Sequence, residues 1–462
     1  MDSLAYIASQ QNRFLEQLKE LLRIPSVSAL SAHRADVARA AEWVASDLRA
    51  IGLQGVEVIA DPAGGHPLVY GEWLHAPERP TLLIYGHYDV QPPDPLNLWE
   101  TPPFEPTVRG ENLYARGASD DKGQMFALLK GVEAVLGADG ALPVNLKVLI
   151  EGEEEISGQH IERFVRANPA RVRADAALIA DSPMFAPGVP ALCTGLRGLV
   201  YTEVEACGAA HDLHSGLYGG TAPNALNGLA AILAGLKDTY TGHVDIPGFY
   251  DRVEPPSEEE RAAWARLPFD EAAYLRDEVG SATLAGEREY GPLERLWARP
   301  TLDVHGLIGG FTGEGSKTVI PARGLAKVSM RLVPAQDPRE IYDLFERRVH
   351  ELCPPGIQAT VRALGSGAPV SLPADTAAMR AAATALRETF DRPAALIRMG
   401  GSIPIVETFL SAAGTPSVLA GFGLPDDNLH APNEKLYLPN FDAAILFTAL
   451  FLRTFGESRH PA

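Results

Sequence analysis

The order of apolar and polar positions divides the chain into two kinds of segment. Leu4 to Ile24 carries apolar residues at helical spacing (Phe14, Leu15, Leu18, Leu21, Leu22), and Pro25 ends that helix. Ala35 to Ile51 predicts a second amphipathic helix with Gly52 as its C-cap. Short continuous apolar runs then alternate with helical stretches: Thr81 to Tyr85, a helix near Lys122 to Leu136, Leu146 to Ile150, a helix near Gln159 to Ala167, and Ala176 to Ala180. Unbroken apolar strands separated by helices point to an α/β layer around a largely buried sheet.

The style changes near residue 195. Leu199 to Ala206 alternates as a half-buried strand, and Asn224 to Leu236 reads as an apolar helix capped by Asn224. Residues 245 to 300 are rich in charge, Pro and Trp, with no clear sheet signal. Lys327 to Val333 and Gln358 to Leu364 read as strands around an amphipathic helix, Asp337 to Leu352. This middle section is expected to be an inserted α+β domain. After about residue 372 the first style returns, with a helix Ala377 to Phe390, strands near Leu396 and Val418, and a last helix Phe441 to Phe455. The expected division is a split α/β domain, 1–194 and 373–462, with an insertion at 195–372.

Composition narrows the function classes. The chain has 462 residues and a net charge of −19, from 59 acidic and 40 basic side chains. That balance argues against sequence-independent nucleic-acid binding and against a polybasic membrane surface. The start of the chain lacks the basic and apolar regions of a signal peptide, and the apolar stretch Phe441 to Leu452 reads as too short to span a bilayer. Cys193, Cys207 and Cys353 form no CxxC spacing and have no surroundings that would mark a nucleophile. The expectation is a soluble, cytoplasmic protein with no nucleic-acid or membrane partner.

The chemistry-bearing residues fall at the tips of predicted elements. Gly86-His87-Tyr88-Asp89 closes an apolar strand, Ser119-Asp120-Asp121-Lys122-Gly123 precedes a helix, and Glu153-Glu154-Glu155 follows the strand Leu146 to Ile150. Asp181 ends another strand, and His430 lies in a polar loop. Taken singly, each has an ordinary reading as a cap, a solvated charge run or a loop histidine. Taken together, His87, Asp120, Glu155, Asp181 and His430 should converge on one sheet edge, where open α/β sheets place their ligands. Two histidines and three carboxylates suit a pair of divalent ions.

In that order these motifs resemble the M20 metallopeptidases, most closely their carnosinase-like (cytosolic nonspecific dipeptidase) branch. Further strings carry the likeness: Asp212-Leu213-His214-Ser215-Gly216, Lys317-Thr318-Val319-Ile320-Pro321, Arg331-Leu332-Val333-Pro334 and Gly400-Gly401-Ser402-Ile403-Pro404. The resemblance implies a zinc-peptidase-like α/β catalytic domain, with a mixed sheet flanked by helices, and an inserted α+β lid and dimerisation domain. It implies that His87, Asp120 and Asp181 hold one metal, zinc or manganese, and that Asp120, Glu155 and His430 hold the other. Glu154 would be the general base on a metal-bridging water, Asp89 would orient His87, and the Asp120–Asp121 peptide would be cis. His214 would stabilise the oxyanion in the partner subunit of a homodimer. Arg331 would bind the carboxylate of a short peptide, with Thr318, Ser402 and Gly401 adding contacts. The triple Glu run leaves a shifted pair, Glu153 and Glu154, open.

The expected reaction is hydrolysis of dipeptides or very short peptides. An N-acyl-amino-acid deacylase or carboxypeptidase on the same metals is the alternative, and a peptide-binding protein with a decayed site is the non-enzyme reading. Two decoys fail. Gly310 to Thr318 puts Ser316 where a phosphate-binding loop needs Lys, and a His211–His214 metal pair has no further support.

Overall fold

In the computed structural model, which describes residues 2–156, 158–401 and 403–458, the apolar run after Pro80 forms the strand Thr81–His87, buried at every position after the first. Both of its faces are covered, which is why its sequence does not alternate. It pairs in parallel with Asn145–Glu151 on one side and Ala176–Ile179 on the other. The sheet continues outward in the order Gln54–Ile59, Leu68–Trp73, Asn145–Glu151, Thr81–His87, Ala176–Ile179, Ser417–Leu419, Ala191–Leu196. The first two junctions and the last are antiparallel, so the sheet is mixed.

Helices Ser3–Leu22, Arg34–Ile51, Lys122–Asp139, Ala377–Phe390 and Leu438–Glu457 share one core with this sheet. Gly52 takes the left-handed conformation at the end of Arg34–Ile51, as its C-cap role requires. Lys122–Asp139 is buried almost all round, and at Gly131 a Cβ would lie 2.4 Å from Thr448 Cβ. Only glycine lets the Leu438–Glu457 helix approach this closely. The apolar stretch expected to be too short for a bilayer continues into that 20-residue helix. By length and composition it could cross a membrane, but more than half of its most apolar window is buried in the core.

The chain divides into two units. One comprises Met1–Thr194, Leu372–Ile397 and Ile405–Ala462; the other comprises Gly195–Ser371 and Arg398–Pro404. The second unit is built on a four-stranded antiparallel sheet, in the order Thr301–Gly309, Arg323–Leu332, Gly198–Cys207, Gln358–Gly367. Gly198–Cys207 alternates buried and half-buried along its whole length, and helices Ala225–Ala234 and Pro338–Glu351 share its core. Asn224 and Asp337 cap these helices, each accepting two backbone N–H groups. Residues 310–318 form a loop between two strands with no helix after it, unlike a phosphate-binding loop.

Candidate metal centre

The parallel strands end on one edge of the sheet, and the turns that follow them carry the acidic and histidine side chains. His87 closes its strand and is fully buried. Asp120 lies in the turn before Lys122–Asp139, and the Asp120–Asp121 peptide is cis. Glu154 and Glu155 open a short turn, Glu154–Ile156, after the strand Asn145–Glu151. Asp181 follows the strand Ala176–Ile179. His430 lies in the loop before Lys435–Tyr437, with a positive φ of 61°.

Two groups of ligand atoms result. One atom each from His87, Asp120 and Asp181 lie within 4.8 Å of one another, and so do atoms from Asp120, Glu155 and His430. Asp120 belongs to both groups: its Oδ1 is 3.2 Å from His87 Nε2 and its Oδ2 is 2.8 Å from His430 Nε2. Glu155 Oε2 is 3.3 Å from His430 Nε2 and accepts from Gln91 Nε2 at 2.8 Å. Glu154 is in neither group and stands half-buried beside them.

The donor set fits two cations. His87 Nδ1 lies 3.1 Å from the Asp89 carbonyl and 3.3 Å from Asp89 Oδ1, so that nitrogen carries the ring proton. Its Nε2 is buried without a hydrogen-bond partner and faces the Asp120 carboxylate. A lone pair opposite a carboxylate is unfavourable unless a proton or a cation sits between them.

The metal-free site takes up protons instead. Burial, reinforced by neighbouring carboxylates, pushes Glu154 up to about 8, Glu155 up to about 7 and Asp181 up to about 6. The hydrogen bond to Asp120 pushes His430 up to about 9. All four groups hold more protons folded than unfolded, so the stability linked to them is lost as pH rises through these values. The metal-free protein is therefore expected to melt at progressively lower temperature between about pH 5 and pH 9. Manganese or zinc should flatten that slope in thermal scans. An upward slope across the same range would contradict the protonated cluster.

The triple Glu run resolves in space. Glu153 accepts from His66 N–H at 2.7 Å and from His160 N–H at 3.2 Å, while Glu155 enters a ligand group and Glu154 stands outside both. Asp89, expected to orient His87, also accepts from Glu155 N–H at 3.2 Å through Oδ2. Sequence reading missed Gln91 and the buried Glu434. Gln91 lies two residues beyond Asp89 and Glu434 four beyond His430, and nothing in their spacing marked a role.

The remaining candidates lie in the second unit. His214 pairs with Val319 across a two-stranded ribbon, and Ser215 N–H donates to the Thr318 carbonyl at 3.0 Å, so His214 and Thr318 are neighbours. His214 Nδ1 accepts from Gly216 N–H at 2.9 Å, which puts the neutral ring's proton on Nε2 of an exposed side chain. Arg331 lines a cavity of about 580 Å³ with Arg197, Tyr201, Asp303 and His305. Gly401 is exposed beside Gly400, whose carbonyl accepts from Arg197 Nε at 3.0 Å; Arg197 also went unnoticed in the sequence. Ser402 lies outside the described residues. His211 enters neither ligand group among the described residues.

A family model described as peptidase family M20/M25/M40 matches residues 83–454. Human beta-Ala-His dipeptidase is 33% identical, covering 97% of this chain and 91% of its own. Cys-Gly metallodipeptidase DUG1 of Candida albicans is 32% identical, covering 96% and 95%. Among solved structures, the M20 family metallo-carboxypeptidase Sso-CP2 from Sulfolobus solfataricus superposes with a TM-score of 0.85 at 32% identity, covering 96% of this chain and 99% of that one.

Proposed function

The chain belongs to peptidase family M20/M25/M40, and on that premise we propose that it hydrolyses the peptide bond of dipeptides or very short peptides with a free carboxylate. The observation that carries the reading is Asp120, one carboxylate shared by two ligand groups. Full-length similarity to two dipeptidases supports the substrate class. Zinc or manganese fits the nitrogen and oxygen donors equally.

Two bound divalent ions would acidify a water molecule and polarise the scissile carbonyl. The chain's own residues do the rest. Glu154 stays outside both ligand groups and is free to take the water's proton and pass it to the leaving amine. Asp89 holds the His87 ring so that Nε2 faces the site. Arg331 offers a planar guanidinium to the substrate carboxylate, with Thr318, Gly401 and Ser402 as further contacts. His214 donates from Nε2 to the oxyanion, reaching across to the partner of a homodimer. An edge strand supports such pairing: Thr301–Gly309 ends its sheet with Val304, Leu307 and Ile308 exposed. Three cysteines without a disulfide and a net charge of −19 fit the cytoplasm.

A second reading, removal of one residue from the carboxyl end of longer peptides, is favoured by the likeness to the metallo-carboxypeptidase. A panel of free dipeptides, N-acetylated amino acids and tetrapeptides separates these, assayed on enzyme loaded with zinc, manganese or cobalt. Free dipeptides are expected to turn over fastest. Faster tetrapeptide trimming would favour the carboxypeptidase reading, and faster deacetylation a deacylase. No metal-dependent turnover of any of them would sink the enzyme reading and leave a peptide-binding protein.

A further inference from the structure

Glu434 lies four residues beyond His430 and is completely buried, yet the chemistry above does not use it. Its two oxygens take four donors. Oε2 accepts from Arg116 Nη1 at 2.6 Å and from Gly117 N–H at 2.9 Å. Oε1 accepts from Ser119 N–H at 3.0 Å and from Asp120 N–H at 3.1 Å. The three amides belong to one turn, and the last is the backbone of the residue shared by both ligand groups. The side chain of Glu434 thereby fixes the backbone from which the Asp120 carboxylate projects. Its own carbonyl accepts from Ala115 N–H, at 3.1 Å, just before that turn.

Asp427 grips the same turn from the other side of His430. Its Oδ2 accepts from Ser119 Oγ at 2.8 Å and from Leu424 N–H at 2.7 Å, and its Oδ1 accepts from Lys435 Nζ at 2.9 Å. The loop that carries His430 is thus fastened to the Asp120 turn at both flanks. His430 Nε2 meets Asp120 Oδ2 between the two fastenings.

The chemistry of these contacts requires a carboxylate at 434. Each oxygen accepts two hydrogen bonds and donates none. A glutamine of the same shape would turn an NH₂ group toward two of the four donors, leaving buried N–H groups facing each other. Local sequence cannot show this arrangement, because 314 positions separate Glu434 from Asp120.

We propose that Glu434 is a positioning residue for the two-metal centre: it locks the Asp120 turn against the His430 loop and so keeps the Asp120 carboxylate in both ligand groups. The proposal rests on the two-metal reading above. Its test is manganese retention by the full-length enzyme. Wild type and Glu434→Gln are loaded with Mn²⁺, checked for fold by circular dichroism, and challenged with graded chelator. The variant is expected to lose its manganese at about 10–100-fold lower chelator activity. Its kcat should fall while KM for a dipeptide changes little.

A folded variant that keeps wild-type manganese affinity overturns the proposal, even if its melting temperature drops, because that pattern marks a purely structural ion pair. Should Glu434→Gln fail to fold, Asp427→Asn carries the same test. A several-fold loss of manganese affinity is then expected, and unchanged affinity overturns the proposal. Wild type that binds fewer than two Mn²⁺ per chain would overturn the two-metal reading itself, an outcome distinct from equal binding by wild type and variant.

Discussion

Glu154→Gln is expected to keep both metal ions and lose about 10²–10⁴-fold in kcat, the range for removing a positioned general acid–base group. That loss corresponds to about 2.7–5.5 kcal/mol of transition-state stabilisation. The ions should stay because Glu154 lies outside both ligand groups, whereas Glu155 shares one with Asp120 and His430. KM for a dipeptide should change little, since the proposed carboxylate contact, Arg331, is untouched. The pH profile gives an independent check. A base must be deprotonated to act, so wild-type activity is expected to rise with pH through the Glu154 pKa, and the variant's residual activity should lack that limb. In the metal-free protein burial pushes this group up to about 8, and two nearby cations must bring it down. Metal analysis showing two ions per chain, with kcat within tenfold of wild type, would exclude Glu154 as the base. Loss of an ion would instead make it a ligand.

The parts of this site visible in the sequence are those whose signal is local. His87, Asp120, Glu155 and Asp181 each sit at the end of a run that is apolar because its strand or helix is buried all round. The end of such a run is readable without knowing the partners. Leu68–Trp73 escaped because Gly71 interrupts it. There a Cβ would come within 3.3 Å of Val56 and 3.4 Å of Leu48, so the space for a side chain is tight, a packing constraint that a strand pattern does not reveal. Thr301–Gly309 escaped because it is an edge strand whose side chains are mostly exposed, leaving no alternation to detect. Glu153 could not be told from Glu154 along the chain, since only contact with His66 and His160 assigns it elsewhere. Gln91, Arg197 and Glu434 act through partners from 64 to 318 positions away, a range over which no spacing rule operates.

His214→Ala is expected to lower kcat by about 10²–10³-fold, the range for losing one oxyanion donor, with dipeptide KM and metal content near wild type. The structure supplies the chemical basis. Gly216 N–H occupies Nδ1, so the exposed ring presents Nε2–H as a donor. Whether that donor serves its own subunit or the partner's is decided by mixing two inactive proteins. If His214 acts across a homodimer, a mixed dimer of His214→Ala and Glu154→Gln contains one complete site. It joins Glu154 of the first subunit to His214 of the second, while the other site lacks both groups. Equal amounts, refolded together with random pairing, should therefore recover about a quarter of wild-type activity. If His214 serves its own subunit, every site in the mixture lacks one group and no activity returns. A His214→Ala enzyme with wild-type kcat would remove the residue from the reaction altogether. The same mixture also tests the dimer, because two inactive chains that cannot pair have no means of completing a shared site.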